Sequence, residues 1–130
     1  MKDKNDEYWK KTLTSQQYKV LREKDTDDPF KGSLLHSSET GVYKCAACHA
    51  TLFSSDNKYD SGSGWPSFND VIDEAAVDLR EDKTHNMIRT EIVCSNCKGH
   101  LGHLFDDGPT PNGQRYCINS TSLSFEGAKD

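Results

Sequence analysis

The sequence predicts a mainly β domain with a helical segment at its N-terminus, and three observations lead to that class. Short β-rich runs, among them GVYKC (41–45) and MIRTEIVC (87–94), alternate with turn residues from about residue 33 onward. A C-x-x-C pair begins at the last residue of each of these two runs. A single capped stretch precedes them, and the cysteine pairs are the only internal repeat.

The stretch LTSQQYKVLREK (13–24) has the signals of a helix start. Thr14 is a capping residue, and Gln17 stands three positions later to complete a capping box. Residues 1–8 are polar, and we expect them to form a flexible N-terminal tail. Residues 9–130 then suit one domain.

Two later runs complete the predicted strands. AAVDLRED (75–82) is a candidate strand with Val77 and Leu79 on one side. RYCINSTSLSF (115–125) is predicted to be a strand that follows the loop DDGPTPNGQ (106–114).

The composition limits the classes of function. Only 33% of the 130 residues are hydrophobic and 28% are charged, so we expect a modest core that needs another source of stability. The net charge of −5 disfavours a nucleic-acid partner. No apolar run approaches the roughly 20 residues of a membrane span, and the N-terminus has no secretory signal. We therefore expect a cytoplasmic protein without a membrane partner.

Two cysteine pairs, Cys45 with Cys48 and Cys94 with Cys97, predict a zinc site. In the cytoplasm, cysteines serve more often as metal ligands or catalysts than as disulfide partners. Two tight turns, each with two residues between its cysteines, complete a tetrahedron around one ion. Four protein ligands leave no open position, so such a Zn²⁺ is structural. Two redox C-x-x-C motifs or two local disulfides are the alternative.

Cys117 is the cysteine left over by this assignment. If the run around it is extended, Arg115, Cys117 and Asn119 fall on one face, while Tyr116 and Ile118 fall on the other, which suits a core. Nearby positive charge favours the thiolate, which is the nucleophilic form of cysteine. An inert, half-buried cysteine is the alternative.

The segment GHLGHLFDDG (99–108) supplies a proton-transfer partner for such a cysteine. His100 and His103 lie among glycines that allow an imidazole to be aimed into a cleft. His100 has the alternative of an ordinary hydrogen-bonding role beside the second cysteine pair. Asp107 is a candidate to orient Arg115 or a histidine, although an aspartate before Gly-Pro is usually part of a turn.

The loop YDSGSGWPSF (59–68) presents an aromatic side chain. Gly62 and Gly64 permit backbone angles that other residues avoid, and Pro66 fixes the chain just after Trp65. Such a loop is typical of a binding surface rather than of a core strand.

Four segments together resemble the B-type methionine sulfoxide reductases. They are GVYKCAAC, KYDSGSGWPSF, EIVCSNCKGHLGHLFDDGP and GQRYCINSTSLSF, in that order. They span roughly residues 41 to 125, and LTSQQYKVLRE with DPFKGSLL extends the likeness over nearly the whole chain. The resemblance implies a fold of two antiparallel β-sheets with short peripheral N-terminal helices.

The resemblance also implies an activity and its partners. The expected reaction is the reduction of the R epimer of protein-bound methionine sulfoxide, which repairs proteins after oxidative stress. Thioredoxin or another thiol is the expected reductant. We further expect one structural Zn²⁺ per chain and a monomeric protein.

Residue roles carry over onto matching positions. Trp65 matches the tryptophan that holds the substrate's S-methyl group in the family, and sulfur–aromatic contacts favour such a wall. Phe105 and Asp107 are expected to help to bind the substrate. Cys117 is expected to attack the sulfoxide sulfur and to end as a sulfenic acid.

The remaining catalytic roles concern protons and charge. The oxygen must be protonated as it departs, and His103 is the first choice for that acid, with His100 assisting. Arg115 is expected to favour the thiolate, and Asn119 to fix the site.

Ser63 departs from the common pattern of the resemblance. Many relatives carry a second, resolving cysteine in the tryptophan loop, whereas a hydroxyl cannot form a disulfide. Some relatives naturally lack that cysteine and are reduced directly by a thiol; a deliberate cysteine-to-serine replacement is the alternative.

Two other functions compete with the reductase. A non-enzymatic zinc-ribbon module that binds a protein partner explains the cysteine pairs equally well, but it gives no role to Cys117 or to the tryptophan loop. A cysteine-histidine hydrolase shares Cys117 and His103, but it lacks an evident oxyanion arrangement.

Overall fold

The computed structural model describes residues 6–28, 34, 40–62, 64–83 and 87–127. Two short helices open the described chain, α1 (Asp6–Thr12) and α2 (Ser15–Glu23). The capping box predicted at the start of α2 is confirmed, because the Gln17 amide donates to the Thr14 hydroxyl at 3.1 Å and the Thr14 amide donates to the Gln17 side chain at 3.0 Å. Lys24 caps the C-terminus of the helix and adopts left-handed backbone angles.

Two antiparallel sheets form the body of the protein, as predicted. The three-stranded sheet has the order β2-β1-β9, and the six-stranded sheet has the order β3-β4-β8-β7-β6-β5. The strands are β1 (Gly41–Cys45), β2 (Thr51–Ser54), β3 (Lys58–Tyr59), β4 (Ser67–Phe68), β5 (Val77–Asp82), β6 (Arg89–Cys94), β7 (His100–Phe105), β8 (Arg115–Ile118) and β9 (Leu123–Gly127).

The core lies between the two sheets and is rich in aromatic rings. Phe53 of the small sheet stacks on Phe68 of the large sheet with 4.3 Å between ring centroids, and Tyr43 meets Phe68 edge to face at 5.1 Å. Tyr116 and Ile118 are buried, as their predicted core-facing positions require. These contacts orient one face of the six-stranded sheet towards the core.

Helix α2 packs on β7 of the large sheet. Val20 and Leu21 of α2 are fully or almost fully buried. The guanidinium of Arg22 donates to the carbonyl of Cys97 at 2.9 Å, so the helix is also tied to the second cysteine turn.

The segment 115–125 does not form the one strand that its sequence predicts. The strand β8 ends at Ile118, a 3₁₀ turn spans Ser120–Ser122, and β9 then joins the other sheet. Helix α1 begins at Asp6, inside the segment 1–8 that we expected to be a tail, and its Trp9 is buried. Among the described residues, we find no helix with the length and apolar character of a membrane span.

Candidate active site and metal centre

The pairing of β7 with β8 places the predicted nucleophile beside the predicted acid. Cys117 lies directly opposite His103, and Arg115 lies opposite Phe105, so these four side chains share one face of the sheet. That face is opposite to the one that carries Tyr116 and Ile118 into the core. Gly102 permits this close pairing, because a Cβ there would lie 1.9 Å from the Cys117 carbonyl oxygen.

A small cavity of about 80 Å³ opens over Cys117. Its lining joins residues from five distant parts of the sequence, namely Thr26, Trp65, Arg89, Gly102, His103, Phe105, Cys117 and Asn119. Two aromatic rings and a thiol thus share this cavity with one imidazole and one amide. The cavity suits a small group that is apolar on one side and accepts a proton on the other.

A chain of hydrogen bonds fixes the indole of Trp65. Its Nε1 donates to the carbonyl of Asp27 at 2.9 Å. The Asp27 amide donates to the Asn119 side-chain oxygen at 2.9 Å, and the Asp27 carboxylate accepts from the amide and hydroxyl of Thr121 at 3.0 and 2.5 Å. The Asn119 side-chain amide donates to the Leu101 carbonyl at 3.1 Å. Asn119 therefore positions the segment that holds the tryptophan.

Arg115 lies beside the cavity rather than in its lining. Its guanidinium donates to both carboxylate oxygens of Asp107, at 2.7 and 3.2 Å, and lies over the Phe105 ring at 4.4 Å from the centroid. The bond to Asp107 raises the pKa of Arg115, and the nearby charge of Cys117 raises it further. The same ion pair lowers the pKa of Asp107.

Two buried carboxylates orient the histidines. His103 Nε2 lies 2.7 Å from an oxygen of Asp82, and His100 Nδ1 lies 2.7 Å from an oxygen of Glu91. Lys24, at the end of α2, bridges both carboxylates at 3.1 and 3.4 Å. The two imidazole rings meet edge to face with 5.4 Å between their centroids. His100 is buried and outside the cavity lining.

The electrostatic balance at His103 favours its neutral form. Burial lowers the pKa of His103 below the ordinary 6.5, the Asp82 hydrogen bond raises it, and the Arg89 charge lowers it again, with a net decrease. The neutral ring therefore stabilises the fold above pH 6.5, and this contribution is lost as the pH falls below that value. For Glu91, burial raises the pKa, but the His100 hydrogen bond and Lys24 outweigh it and lower the pKa overall.

The four predicted zinc ligands form one cluster. The ligand atoms of Cys45, Cys48, Cys94 and Cys97 all lie within 4.8 Å of one another. Two sulfur pairs are 3.7 and 3.5 Å apart, close to the roughly 3.8 Å expected in a tetrahedron with Zn–S bonds of about 2.3 Å. The donor set and spacing therefore suit zinc.

The two cysteine turns have the same local geometry. The amide of the residue after each pair donates to the carbonyl of the pair's first cysteine at 2.8 Å. Those residues, His49 and Lys98, both have positive φ values, of 66° and 64°. Each turn aims two sulfurs at one point, and His49 stays exposed outside the four-sulfur cluster.

Some of the predicted site residues line the cavity above Cys117, and others lie beside it or below the surface. Cys117, His103, Trp65, Phe105 and Asn119 line one cavity. Arg115 and Asp107 form an ion pair beside it, and His100 lies beneath the surface. Ser63 lies outside the described residues. The sequence analysis missed Lys24, Asp27, Asp82, Arg89 and Glu91, since none of these belongs to a local motif.

Comparisons of the sequence with known proteins point to one family, and a solved structure shares the fold. Residues 13–127 match the SelR domain. A peptide methionine sulfoxide reductase MsrB of Methanosarcina barkeri is 58% identical over 124 residues, which cover 95% of this chain and 87% of the relative. The MsrB of Leptospira interrogans is 57% identical, with 95% of each chain covered. The crystal structure of a Mis18 Yippee-like domain has a similar fold, with a TM-score of 0.56 over 71% of this chain and all of that domain, at 15% identity.

Replacing Asp82 by asparagine is expected to lower the pKa of His103 further. The substitution removes the carboxylate that favours the imidazolium but keeps the cations Lys24 and Arg89 nearby. An NMR titration of the His103 ring measures the shift. Asp78→Asn on the same strand is the control and should leave the titration unchanged. A higher His103 pKa in Asp82→Asn would contradict the assignment.

Proposed function

This chain belongs to the SelR family of B-type methionine sulfoxide reductases, and we propose that Cys117 is the nucleophile with which it acts. The enzyme is a peptide-methionine (R)-S-oxide reductase, which uses thiols to return the R epimer of methionine sulfoxide in oxidised proteins to methionine. One observation carries the assignment of the nucleophile: Cys117 lies outside the four-sulfur cluster and lines a cavity that it shares with Trp65 and His103.

The S-methyl group of the substrate lies against Trp65 in the proposed mechanism. A sulfur–aromatic contact contributes about 0.3–1.5 kcal/mol, and the indole is held in place through Asp27 and Asn119. The sulfoxide oxygen faces the opposite wall, where His103 lies. An apolar surface and a proton donor on opposite sides select one epimer, because the oxygen and the methyl group cannot exchange places.

The chemical step transfers one oxygen atom and two electrons. The Cys117 thiolate attacks the sulfoxide sulfur, and the oxygen takes up two protons and leaves as water, so that the two sulfurs are joined in a sulfonium adduct. Water then attacks the Cys117 sulfur and gives up a proton, the sulfur–sulfur bond breaks, and methionine leaves with that electron pair. The products are methionine and a Cys117 sulfenic acid, so the cysteine sulfur is oxidised by two electrons and the methionine sulfur is reduced by two. A thiol then attacks the sulfenic sulfur and releases water, and a second thiol frees Cys117 from the mixed disulfide.

His103 supplies the proton in this proposal, and Asp82 keeps it able to do so. The bond from Nε2 to Asp82 leaves Nδ1 as the nitrogen for the substrate's oxygen. Because burial lowers the pKa of His103, the protonated ring is a minority at pH 7, and the Asp82 carboxylate partly offsets that loss. His100, held by Glu91, supports the ring of His103 from the side.

Beside the proposed nucleophile lie Arg115, Phe105 and Asp107, which form one margin of the proposed site. The positive charge of Arg115 attracts the Cys117 thiolate, and Asp107 fixes the guanidinium over the Phe105 ring. Asp107 also belongs to the expected substrate-binding set, in which its role is to hold Arg115 in place.

One Zn²⁺ per chain is proposed to join the two sheets. Cys45 is the last residue of β1 in the small sheet, and Cys94 is the last residue of β6 in the large sheet. An ion held by Cys45, Cys48, Cys94 and Cys97 would join the end of β1 to the end of β6 and so link the two sheets. Its four protein ligands leave no position for substrate, so its role is structural.

The setting of the enzyme is also part of the proposal. We place one domain at residues 9–130, supported at its N-terminal end by the burial of Trp9. Thioredoxin or another thiol is the proposed reductant, and the protein acts as a monomer in the cytoplasm. The proposed use of four cysteines as metal ligands and of Cys117 as a nucleophile suits a reducing compartment, where thiols persist.

Replacing Cys117 by serine is expected to lower kcat for the R epimer by at least about 10³-fold, because a hydroxyl lacks the required nucleophilicity and cannot form the sulfenic acid. The measurement is methionine release from separated R and S epimers of N-acetylmethionine sulfoxide with dithiothreitol. The wild-type enzyme should act on the R epimer alone. Unimpaired turnover by the serine variant would remove Cys117 from the mechanism.

Replacing Cys48 by serine is expected to reduce bound zinc well below one ion per chain. It is also expected to lower the free energy of unfolding on the order of several kcal/mol, since metal binding contributes to folding. Elemental analysis and urea unfolding measure the two effects. Cys117→Ser is the matched control and should retain one zinc. Wild-type protein that purifies fully folded without metal would refute the structural role.

Replacing Ser63 by cysteine tests how the sulfenic acid is resolved. The parent chain should release its first equivalent of methionine at a normal rate and then turn over slowly with thioredoxin, because no resolving thiol is available in the chain. Ser63→Cys should speed the thioredoxin-linked steady state and leave the first equivalent unchanged. Rapid-quench and steady-state assays separate the two phases. Equally fast turnover by the parent chain would mean that thioredoxin reduces Cys117 directly.

A further inference from the structure

An apolar groove of about 550 Å³ adjoins the candidate active site. Leu79 of β5 and Leu104 of β7 line it, together with Ile88, which precedes β6. The side chain of Leu79 is 51% exposed and that of Ile88 is 77% exposed. Large apolar side chains that stay this exposed beside one another mark a binding surface.

The unequal size of the two sheets explains why the groove is open. Within the described residues, the small sheet has three strands and the large sheet has six, so the small sheet covers the core-directed face of the large sheet only over part of its width. Phe68 and Tyr116 lie under the small sheet and are buried, whereas Leu79 on the outermost strand is not. The same face is therefore core at one end and solvent-exposed at the other.

The groove is continuous with the cavity above Cys117. Arg89 and Phe105 line both spaces. They lie near the ends of adjacent strands, on the opposite face from Leu104, so the surface passes around the end of the sheet from one space to the other. A chain that places one side chain in the cavity can therefore lay nearby residues along the groove.

We propose that this groove binds apolar side chains next to the methionine sulfoxide in a polypeptide substrate. The inference rests on the proposed function and adds a preference for sequence context to it. Methionines occupy protein interiors, where their neighbours are apolar, and oxidation to the polar sulfoxide disrupts those interiors. The segments that need repair are therefore the ones that expose apolar residues beside the sulfoxide.

The charges around the groove do not favour a strongly charged partner. Arg80 and Glu81 have opposite signs, and Asp106 lies at the end near Phe105. Glu81 is also within 3.7 Å of the Lys83 ammonium group. Selection therefore comes from the apolar contacts of the groove, and the charges at its margin keep the surface hydrated.

The test compares three substrates with matched variants. The substrates are N-acetylmethionine-R-sulfoxide, a heptapeptide with leucines flanking the R sulfoxide, and the same peptide with serines instead. Wild-type kcat/KM should be highest for the leucine peptide. Leu79→Ser and Ile88→Ser should each lower kcat/KM for the leucine peptide by about 5- to 10-fold, the value of one apolar contact, and leave the other two substrates unchanged.

Ile72→Ser is the control, because Ile72 is 45% exposed and does not line the groove. It should change none of the three rates. Equal losses on all three substrates, or no loss on the leucine peptide, would overturn the proposal. The proposal would also fail if sedimentation showed the wild type as a dimer and Leu79→Ser as a monomer, because the groove would then be a contact between copies of the chain. Failure of the wild type to reduce even the N-acetylated sulfoxide would instead refute the proposed function.

Discussion

The antiparallel register of β7 with β8 is the constraint on which the candidate site depends. It sets Cys117 opposite His103 and Arg115 opposite Phe105. Because side chains alternate between faces, a slip of β8 by one residue would turn Cys117 and Arg115 towards the core and Tyr116 away from it. The close approach at Gly102, where no side chain fits, keeps the strands in this register.

Local patterns were enough to predict some parts of the molecule. The capping box at Thr14, the β-rich runs before the cysteine pairs and the burial of Tyr116 all depend on neighbours in sequence, and the structure agrees with them. The break after Ile118 depends on Asn119, whose side chain bonds to residues far away in the chain. No periodicity within 115–125 contains that information.

The charged residues of the site could not be predicted from the sequence either, because their contacts also join residues that are far apart in the chain. Asp82 and Glu91 looked like ordinary charges on strands, yet both are buried and bonded to histidines. Lys24 reaches them only because α2 ends in a left-handed residue and packs on β7. A burial cost of several kcal/mol for each charge is offset by these pairs, which assemble only in the folded chain.

The position of β5 at the margin of the large sheet has a consequence for solubility. An edge strand presents unpaired backbone groups to which a strand of another chain can add. An enzyme whose substrates are damaged polypeptides with exposed apolar residues often encounters such chains. Asp78, Arg80, Glu81 and Asp82 place charges along this strand, with Asp82 directed inward. Charges of this kind obstruct the addition of a further strand, so the edge resists co-aggregation while the neighbouring face stays apolar.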